Sequence, residues 1–130
     1  MPGPFIFIAT NRLKPGALEA ETQRVPELCE FIEANEPRLL AFNEYADDDG
    51  TEVSVIQVHA DAESMEFHMG VVREHAERAY AETLEATTSI QVYGMPSPGV
   101  LNMLSRQAGT GPSLTVRRHH LGGFTRLNSD

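Results

Sequence analysis

The spacing of apolar side chains changes several times along the chain, and each change marks the border of a predicted element. Residues 4–11 are mostly β-branched or aromatic, which predicts a first strand. Over residues 18–32 the apolar positions recur at helical spacing, and Glu36-Pro37 ends this helix because a residue before proline disfavours the helical conformation. Pro26 lies inside the helical run and predicts either a kink or the start of a second segment there.

The next stretch of the chain repeats this order of elements. It predicts two strands joined by a turn, a second long helix and a fourth strand, over 38–46, 51–60, 62–85 and 87–94. The turn at 47–50 is Asp-Asp-Asp-Gly, and its glycine supplies the positive φ that a tight turn requires. Asp61 is placed to cap the second helix. The resulting order, β-α-β-β-α-β, predicts an α+β fold of the ferredoxin-like type, in which right-handed crossovers put both helices on one face of the sheet.

Alternation within the strands indicates that the face of the sheet without helices is also apolar. In the first strand Phe5 and Phe7 share one face, while Ile6 and Ile8 share the other, and the third strand likewise carries apolar residues on both faces. A sheet face left in water would alternate cleanly between apolar and polar positions. We therefore expect a second copy of the chain to cover this face, giving a homodimer built as a dimeric α/β barrel.

One set of strand positions mixes apolar with polar side chains, which predicts a small-molecule pocket. Its polar or amphipathic members are Asn11, Asn43, Tyr45, Gln57, His59, Gln91 and Tyr93, and its apolar members include Phe5, Phe7, Val53 and Val55. Two other interpretations stay open, namely a layer of hydrogen bonds within an interface and strand ends exposed to water.

Length and composition limit the classes of function. The 130 residues suit one domain over 1–95 with an extension over 96–130. A net charge of −9 argues against a nucleic-acid partner, because such a surface repels phosphate. Without an apolar run of about 20 residues or a secretion signal, we expect no membrane contact and a cytoplasmic location. Cys29 is the single cysteine, so no internal disulfide can form.

The extension differs from the rest of the chain in charge. The first 95 residues hold six basic and 18 acidic side chains, whereas the extension holds four basic and one acidic. Apolar residues over 100–104 predict a short helix, and alternation over 113–119 predicts a strand. We expect this strand to join the sheet of a partner copy and so form part of the dimer contact. The alternatives are a solvated tail, or a tail folded over its own pocket with Arg117 or His119 near an anionic ligand.

Two segments carry a resemblance to a known family. Residues 9–16 (ATNRLKPG) resemble the opening of antibiotic biosynthesis monooxygenase (ABM) domains, and residues 58–68 (VHADAESMEFH) resemble their junction between the third strand and the second helix. The resemblance implies a dimeric α/β barrel that binds a small, often aromatic molecule between sheet and helices. Some members of the family are cofactor-independent monooxygenases of polyketide or quinol substrates, and one branch degrades heme.

The heme-degrading branch is matched by less of the sequence. Residues 11–13 (NRL) fit its pattern, but the branch also has a tryptophan on the second helix, and this chain contains none. His68 falls near the tryptophan position, and the iron-ligand histidine of the branch aligns with Arg78, three residues after His75. Heme degradation is therefore the third function to consider.

Two histidines on the second helix are candidates for proton transfer. His68 and His75 are about 10.5 Å apart along a helix, too far for both to ligate one metal, so we expect no metal site. Either could be a general base, which a cofactor-free oxygenase needs to form a substrate carbanion or phenolate that reduces oxygen directly. Donors to the resulting oxyanion could be Asn11, Tyr45 or Gln57. The alternative for each histidine is a structural one, in which it forms a hydrogen bond at the edge of the core.

These observations predict a cofactor-independent monooxygenase acting on an aromatic or quinol-like substrate. The predicted catalytic residues are His68, Asn11 and His75, and the predicted substrate-binding residues are Phe7, Tyr45, Gln57, His59 and Tyr93. The alternative is a non-catalytic dimeric binding protein for a small apolar ligand, since fold alone does not separate the two. No cofactor is expected, and the expected partners are a second copy of the chain and the small molecule.

Overall fold

A computed structural model describes residues 3–108 and 111–126. Within these residues the chain forms five strands and four helices. The strands are β1 (Phe5–Leu13), β2 (Leu39–Ala46), β3 (Glu52–His59), β4 (Leu84–Tyr93) and β5 (Ser113–Arg117). The helices are α1 (Leu18–Asn35), α2 (Ala62–Val71), α3 (Arg73–Glu82) and α4 (Pro98–Ala108).

The strands form one sheet in the order β2-β3-β1-β4-β5, and the first four pair antiparallel. This is the ferredoxin-like arrangement, so the predicted α+β class and β-α-β-β-α-β order are confirmed. α1 is one helix that continues through Pro26 and ends where Glu36 leaves helical geometry (φ −132°, ψ 77°) before Pro37. Asp61 caps α2 as predicted, because its carboxylate accepts a hydrogen bond of 3.0 Å from the backbone N–H of Ser64.

The second long helix and the fourth strand differ from their predicted bounds. The helix expected over 62–85 is two helices, α2 and α3, which meet at Val72, where the backbone (φ −96°, ψ 4°) departs from helical geometry. β4 begins at Leu84 instead of residue 87, because Leu84 pairs with Leu13 at the end of β1. Pairing with a distant strand thus overrides the local preference for helix.

The C-terminal extension forms the predicted helix and strand. β5 pairs in parallel with β4 of its own chain, whereas the sequence predicted that this strand joins the sheet of a partner copy. The parallel pairing is possible because α4 provides the crossover between the two strands. Val100 and Leu104 of α4 are buried in one apolar cluster with Ile90 and Val92 of β4. The extension is therefore part of the main hydrophobic core.

We expect Leu104→Ala to destabilise the whole protein and not the extension alone. Leu104 is 2% exposed, and its cluster includes Phe5 and Phe7 of β1. Truncating a buried leucine leaves a cavity and lowers the free energy of unfolding by about 2–5 kcal/mol. Urea denaturation followed by circular dichroism measures this loss, with Leu101→Ala at an exposed position of α4 as the matched control. A loss no larger than that of the control would contradict a shared core.

Strand register decides which side chains face the helices. Directly paired residues of antiparallel strands point to the same face of a sheet. Phe7 of β1 pairs with Gln57 of β3, which pairs in turn with Phe42 of β2. Asn11 shares the face of Phe7, because the two residues are separated by an even number of positions along β1. This is the face that α1, α2 and α3 cover.

The face without helices holds four residues that the sequence pattern grouped with the pocket, and this grouping is corrected by the register. These residues are Asn43, Tyr45, Gln91 and Tyr93. The turn between β2 and β3 places Tyr45 opposite Ser54, and the pairing of β1 with β4 places Tyr93 opposite Ile6. Tyr45 is 61% exposed. Both tyrosines therefore point away from the helices.

The central strands carry an apolar patch on the face without helices. Ile6 pairs with Val58, and Ile8 pairs with Ile56. All four side chains are only partly buried in the single chain. Partly exposed aliphatic side chains grouped in the middle of a sheet are a usual feature of surfaces that pair with another protein surface. No helix among the described residues has both the length and the apolar character needed to cross a lipid bilayer.

Candidate functional site

A cavity of about 200 Å³ lies between the helices and the sheet. Most of its wall is apolar and includes Phe7, Leu28, Ile32, Phe42, Met65 and Ile90. The polar side chains that reach it are Asn11, Arg24, Glu44, Gln57, His68, His75, Tyr80 and Thr87. An apolar cavity with a few converging polar groups is the ordinary form of a small-molecule site.

His68 of α2 forms a buried pair with Glu36, the residue that ends α1. The Nδ1 atom of His68 lies 2.9 and 3.0 Å from the two carboxylate oxygens of Glu36, and both residues are less than 5% exposed. Because a carboxylate only accepts hydrogen bonds, Nδ1 carries the proton and donates it. Nε2, on the other side of the ring, has no hydrogen-bond partner among the described residues. A carboxylate that fixes the imidazole tautomer in this way leaves a nitrogen ready to accept a proton.

A second hydrogen-bonded chain lies beside His68. His59 donates from Nε2 to the Oε1 atom of Gln57 at 2.8 Å, and its Nδ1 accepts from the hydroxyl of Ser64 at 2.8 Å. Burial, with a contribution from nearby His68, lowers the pKa of His59 to about 3, so this ring is neutral. His59 is completely buried and holds the side chain of Gln57, which lines the cavity and whose amide nitrogen has no hydrogen-bond partner among the described residues.

Asn11 provides a second amide about 13 Å along the strands from Gln57, because four residues separate their paired positions. Its Oδ1 atom accepts hydrogen bonds from the hydroxyls of Thr87 at 2.7 Å and Tyr80 at 3.2 Å. The two hydroxyls are also within hydrogen-bond distance of each other, and because each has a single proton, Tyr80 donates either to Asn11 or to Thr87 at a given time. The Nδ2 atom of Asn11 has no partner among the described residues, although the residue is only 5% exposed. A buried amide donor without a partner is an expected feature of a site that binds an oxygen atom of a ligand.

A pair of carboxyl groups forms a further part of the wall. Glu21 of α1 is 2% exposed and accepts hydrogen bonds from Arg24 at 2.9 and 2.5 Å and from the hydroxyl of Thr83 at 2.7 Å. Glu44 of β2 is hydrogen-bonded to Glu21 and lines the cavity beside Arg24. Burial and the contact with Glu21 raise the pKa of Glu44 to about 9. Burial opposes ionisation of Glu21 as well, but the hydrogen bonds from Glu44, Arg24 and Thr83 outweigh it and lower the pKa of Glu21 to about 2.

We expect Glu44→Gln to stabilise the protein at alkaline pH. The ordinary glutamate pKa is 4.5, so between pH 4.5 and about 9 folded Glu44 keeps a proton that the unfolded chain has released, and stability falls as pH rises. Glu21 acts in the opposite direction below pH 4.5, where its lowered pKa costs stability as pH falls towards 2. Glutamine retains a donor to Glu21 without the proton linkage.

Thermal melts of both proteins from pH 5 to pH 9 measure this linkage. At pH 8 the variant should be more stable by on the order of 1 kcal/mol, well below full linkage because Glu44 is partly open to water. The melting temperature of the wild type should fall more steeply with pH than that of the variant. Parallel curves would show that the two carboxyl groups do not share a proton. Glu33→Gln, at an exposed position of α1, is the matched control.

The structure brings five of the eight predicted site residues together on the cavity wall. These are Phe7, Asn11, Gln57, His68 and His75. His75 is half-buried, with its ring 4.6 Å from that of Phe31. His59 lies behind Gln57, whereas Tyr45 and Tyr93 are on the opposite face of the sheet.

Sequence reasoning missed the carboxyl groups of the site. The sequence marks Glu36 as the end of α1, because a residue before proline is held in extended geometry. Nothing in the sequence indicates that Glu36 contacts His68, which is 32 residues away. Glu44 also had a signal, as the one charged position of β2. Its orientation towards the helices depends on a register that the pattern of β2 did not reveal.

The basic residues of the extension do not reach this cavity. Arg117 and His119 line a separate surface hollow with Ile6 and Tyr93, on the side of the sheet without helices. The hollow shares none of its described lining residues with the cavity that contains His68. The alternative in which the tail folds over that pocket and brings Arg117 or His119 to it is therefore not the arrangement in the structure.

Several solved structures have the same fold. MupZ from Pseudomonas fluorescens is 18% identical, with 95% of each chain covered and a TM-score of 0.70. PA3566 from Pseudomonas aeruginosa is 23% identical, with 71% of this chain and 93% of that one covered and a TM-score of 0.59. A protein described as an antibiotic biosynthesis monooxygenase is 20% identical, covering 68% of this chain and 94% of its own, with a TM-score of 0.58.

These similarities confirm the resemblance to ABM proteins at the level of the fold. No family model and no curated protein matches the chain. The MupZ alignment is long enough to include most of residues 96–130, whereas the other two correspond in length to the ferredoxin-like part. At these identities, the chemistry of this chain has to be argued from its own residues.

Proposed function

We propose that the protein is a cofactor-independent monooxygenase of the ABM type, acting on a small aromatic or quinol-like substrate. The observation that carries the proposal is the His68–Glu36 pair: His68 lines a mainly apolar cavity, and its Nε2 has no hydrogen-bond partner among the described residues. A solid aliphatic interior would have favoured a purely structural role. The ABM proteins among the solved structures of this fold support the same class of chemistry.

The polar groups of the cavity suit the steps that this reaction requires. Nε2 of His68 removes a proton from a phenolic or activated C–H group of the substrate, and Glu36 stabilises the imidazolium that results. The amide nitrogens of Gln57 and Asn11, about 13 Å apart along the strands, donate hydrogen bonds at opposite ends of the substrate, and the one nearer the negative oxygen stabilises the anion. The electron-rich anion then transfers electrons directly to molecular oxygen. The apolar wall keeps water away from this anion and strengthens the hydrogen bonds to it.

The working form in this proposal is a cytoplasmic homodimer. The four partly buried aliphatic side chains on the face without helices support pairing of two sheets face to face. In that arrangement each cavity lies on the outer side of its own sheet, under its own helices. The described residues of one chain already contain a base, its carboxylate partner and two amide donors.

Oxygen consumption with a panel of quinols and polycyclic phenols tests the proposal. Anthrone is a suitable member, because its enol tautomer is a phenol and its methylene group is acidic. The wild type should consume one oxygen molecule for each anthrone converted to anthraquinone, at a rate well above the spontaneous one. Lack of any acceleration across the panel would overturn the proposal.

The alternative is a non-catalytic binding protein, which the apolar cavity also suits. Saturable quenching of an aromatic panel member without oxygen consumption would identify this function. Titration with hemin tests the third function, because heme binding would shift the Soret band. The three outcomes differ in signal and need no knowledge of the natural ligand.

A further inference from the structure

The cavity is lined by a carboxyl group, that of Glu44, which takes no part in the proton transfer assigned to His68 and Glu36. Glu21 and Glu44 are in hydrogen-bond contact, and Arg24 is the cation beside them. Two carboxyl groups in contact with each other, beside one guanidinium, are neutralised only when they hold one proton between them. Glu21 already accepts from Arg24 and Thr83, so the proton lies on Glu44, the member of the pair that lines the cavity.

Two buried amide nitrogens support a ligand-binding role for this wall, independently of the carboxyl pair. The Nδ2 atom of Asn11 and the Nε2 atom of Gln57 lack partners among the described residues, although both residues are more than nine-tenths buried. Both amides line the same cavity as Glu44. A site that pairs a neutral acid with a base is equipped to give a proton as well as to take one.

We propose that Glu44 is a second proton carrier of this cavity, which donates its carboxyl proton to the peroxide oxygen formed in the oxygenase reaction. The role rests on the proposed function. His68 takes one proton from a substrate methylene group, and the carbanion forms a C–O bond with molecular oxygen, which is reduced to a peroxide. Glu44 protonates the terminal oxygen of that peroxide and becomes a carboxylate.

The second half of the reaction returns both groups to their starting states. The Glu44 carboxylate removes the remaining C–H proton, the C=O bond forms, and the O–O bond breaks. The departing hydroxide takes the proton held by His68 and leaves as water. The balance is a methylene group and one oxygen molecule converted to a carbonyl group and one water molecule, with no external reductant.

Glu44→Gln tests this role because glutamine can donate a hydrogen bond but cannot transfer a proton. With anthrone as the probe, the variant should lose about 100-fold in kcat with little change in KM. The wild-type rate should fall above about pH 9, and this decline should be absent from the residual activity of the variant. The titratable groups beside Glu44 are Glu21, Arg24 and Cys29 of α1, and His68 of α2 lines the same cavity with His75 and Tyr80 of α3. Cys29 takes no part in the proposed reaction, so Cys29→Ala should keep the pH profile of the wild type.

Infrared spectroscopy supplies a readout that does not depend on turnover. The wild type should show the C=O band of a protonated carboxyl group at pH 7, and this band should be missing from Glu44→Gln but present in Glu33→Gln. Equal kcat in both variants, or no such band in the wild type, would overturn the role of Glu44 alone. If the wild type does not oxidise anthrone or any other panel member, the proposed function fails and this role fails with it.

Discussion

His68→Gln is expected to lower kcat for anthrone oxidation by about 10²–10⁴-fold, the range typical for loss of a general base. The Nε2 atom of His68 is the basic nitrogen on the cavity wall that a buried carboxylate holds in a defined tautomer. Glutamine supplies an amide donor to Glu36, so the buried carboxylate keeps a partner, but it has no basic atom. KM should change little, because the apolar walls that bind the rings remain.

Two comparisons separate loss of the base from general damage. His119→Ala alters a histidine of the extension that lies at the separate surface hollow, and it should leave kcat unchanged. Circular dichroism and the thermal midpoint of His68→Gln show whether the fold is intact. Equal activity of the two histidine variants would remove the base assigned here. In His68→Ala, by contrast, Glu36 would be left as a buried carboxylate without its partner, so a loss of stability would obscure the result.

Local patterns in the sequence were sufficient to predict the helices, the strands and part of the candidate site. Residues near the middle of predicted strands and helices, such as Phe7, Gln57 and His68, lie on the cavity wall as expected. Their positions follow from helical spacing and strand alternation, which are local properties of the chain. Asn11 was also placed correctly, because it shares the parity of Phe7 on the same strand.

Register between strands could not be derived from the same patterns. β2 reads LLAFNEYA, in which both faces mix apolar and polar residues, so alternation alone does not say which face is buried. The length of the turn before β3 decides that Tyr45 lies opposite Ser54 and that Glu44 faces the helices. One choice of register therefore removed a predicted ligand contact and added a carboxyl group to the cavity.

Contacts between segments distant in the sequence could not be predicted from local patterns either. Glu36 and His68 are 32 residues apart, and Thr83 reaches Glu21 across 62 residues. Each pair joins elements whose relative placement is set by the whole sheet. The extension illustrates the same point, since its strand pattern was evident but the edge that it joins was not.

The face of the sheet without helices leads to the second large effect, which is on assembly. Ile8→Lys is expected to convert a dimer into a monomer. Ile8 lies in the middle of the aliphatic patch, paired with Ile56 on one side and Gln91 on the other. In a face-to-face dimer the substitution would bury two lysines without a counter-charge, and the cost of removing these charges from water exceeds what the remaining apolar contact returns.

Sedimentation velocity distinguishes the two states, because the chain has a mass of 14.3 kDa and a dimer has twice that mass. The wild type should sediment as a dimer at micromolar concentration, and Ile8→Lys as a monomer with an intact circular dichroism spectrum. Phe67→Lys is the matched control, since it replaces a 56% exposed apolar residue of α2 with the same charge on the helix side of the sheet. A monomeric wild type, or a dimer that survives Ile8→Lys, would show that the aliphatic patch does not pair with its own copy. If both lysine variants are monomers, we would attribute the effect to net charge. A specific contact would be lost only in Ile8→Lys, whose substitution lies within the patch.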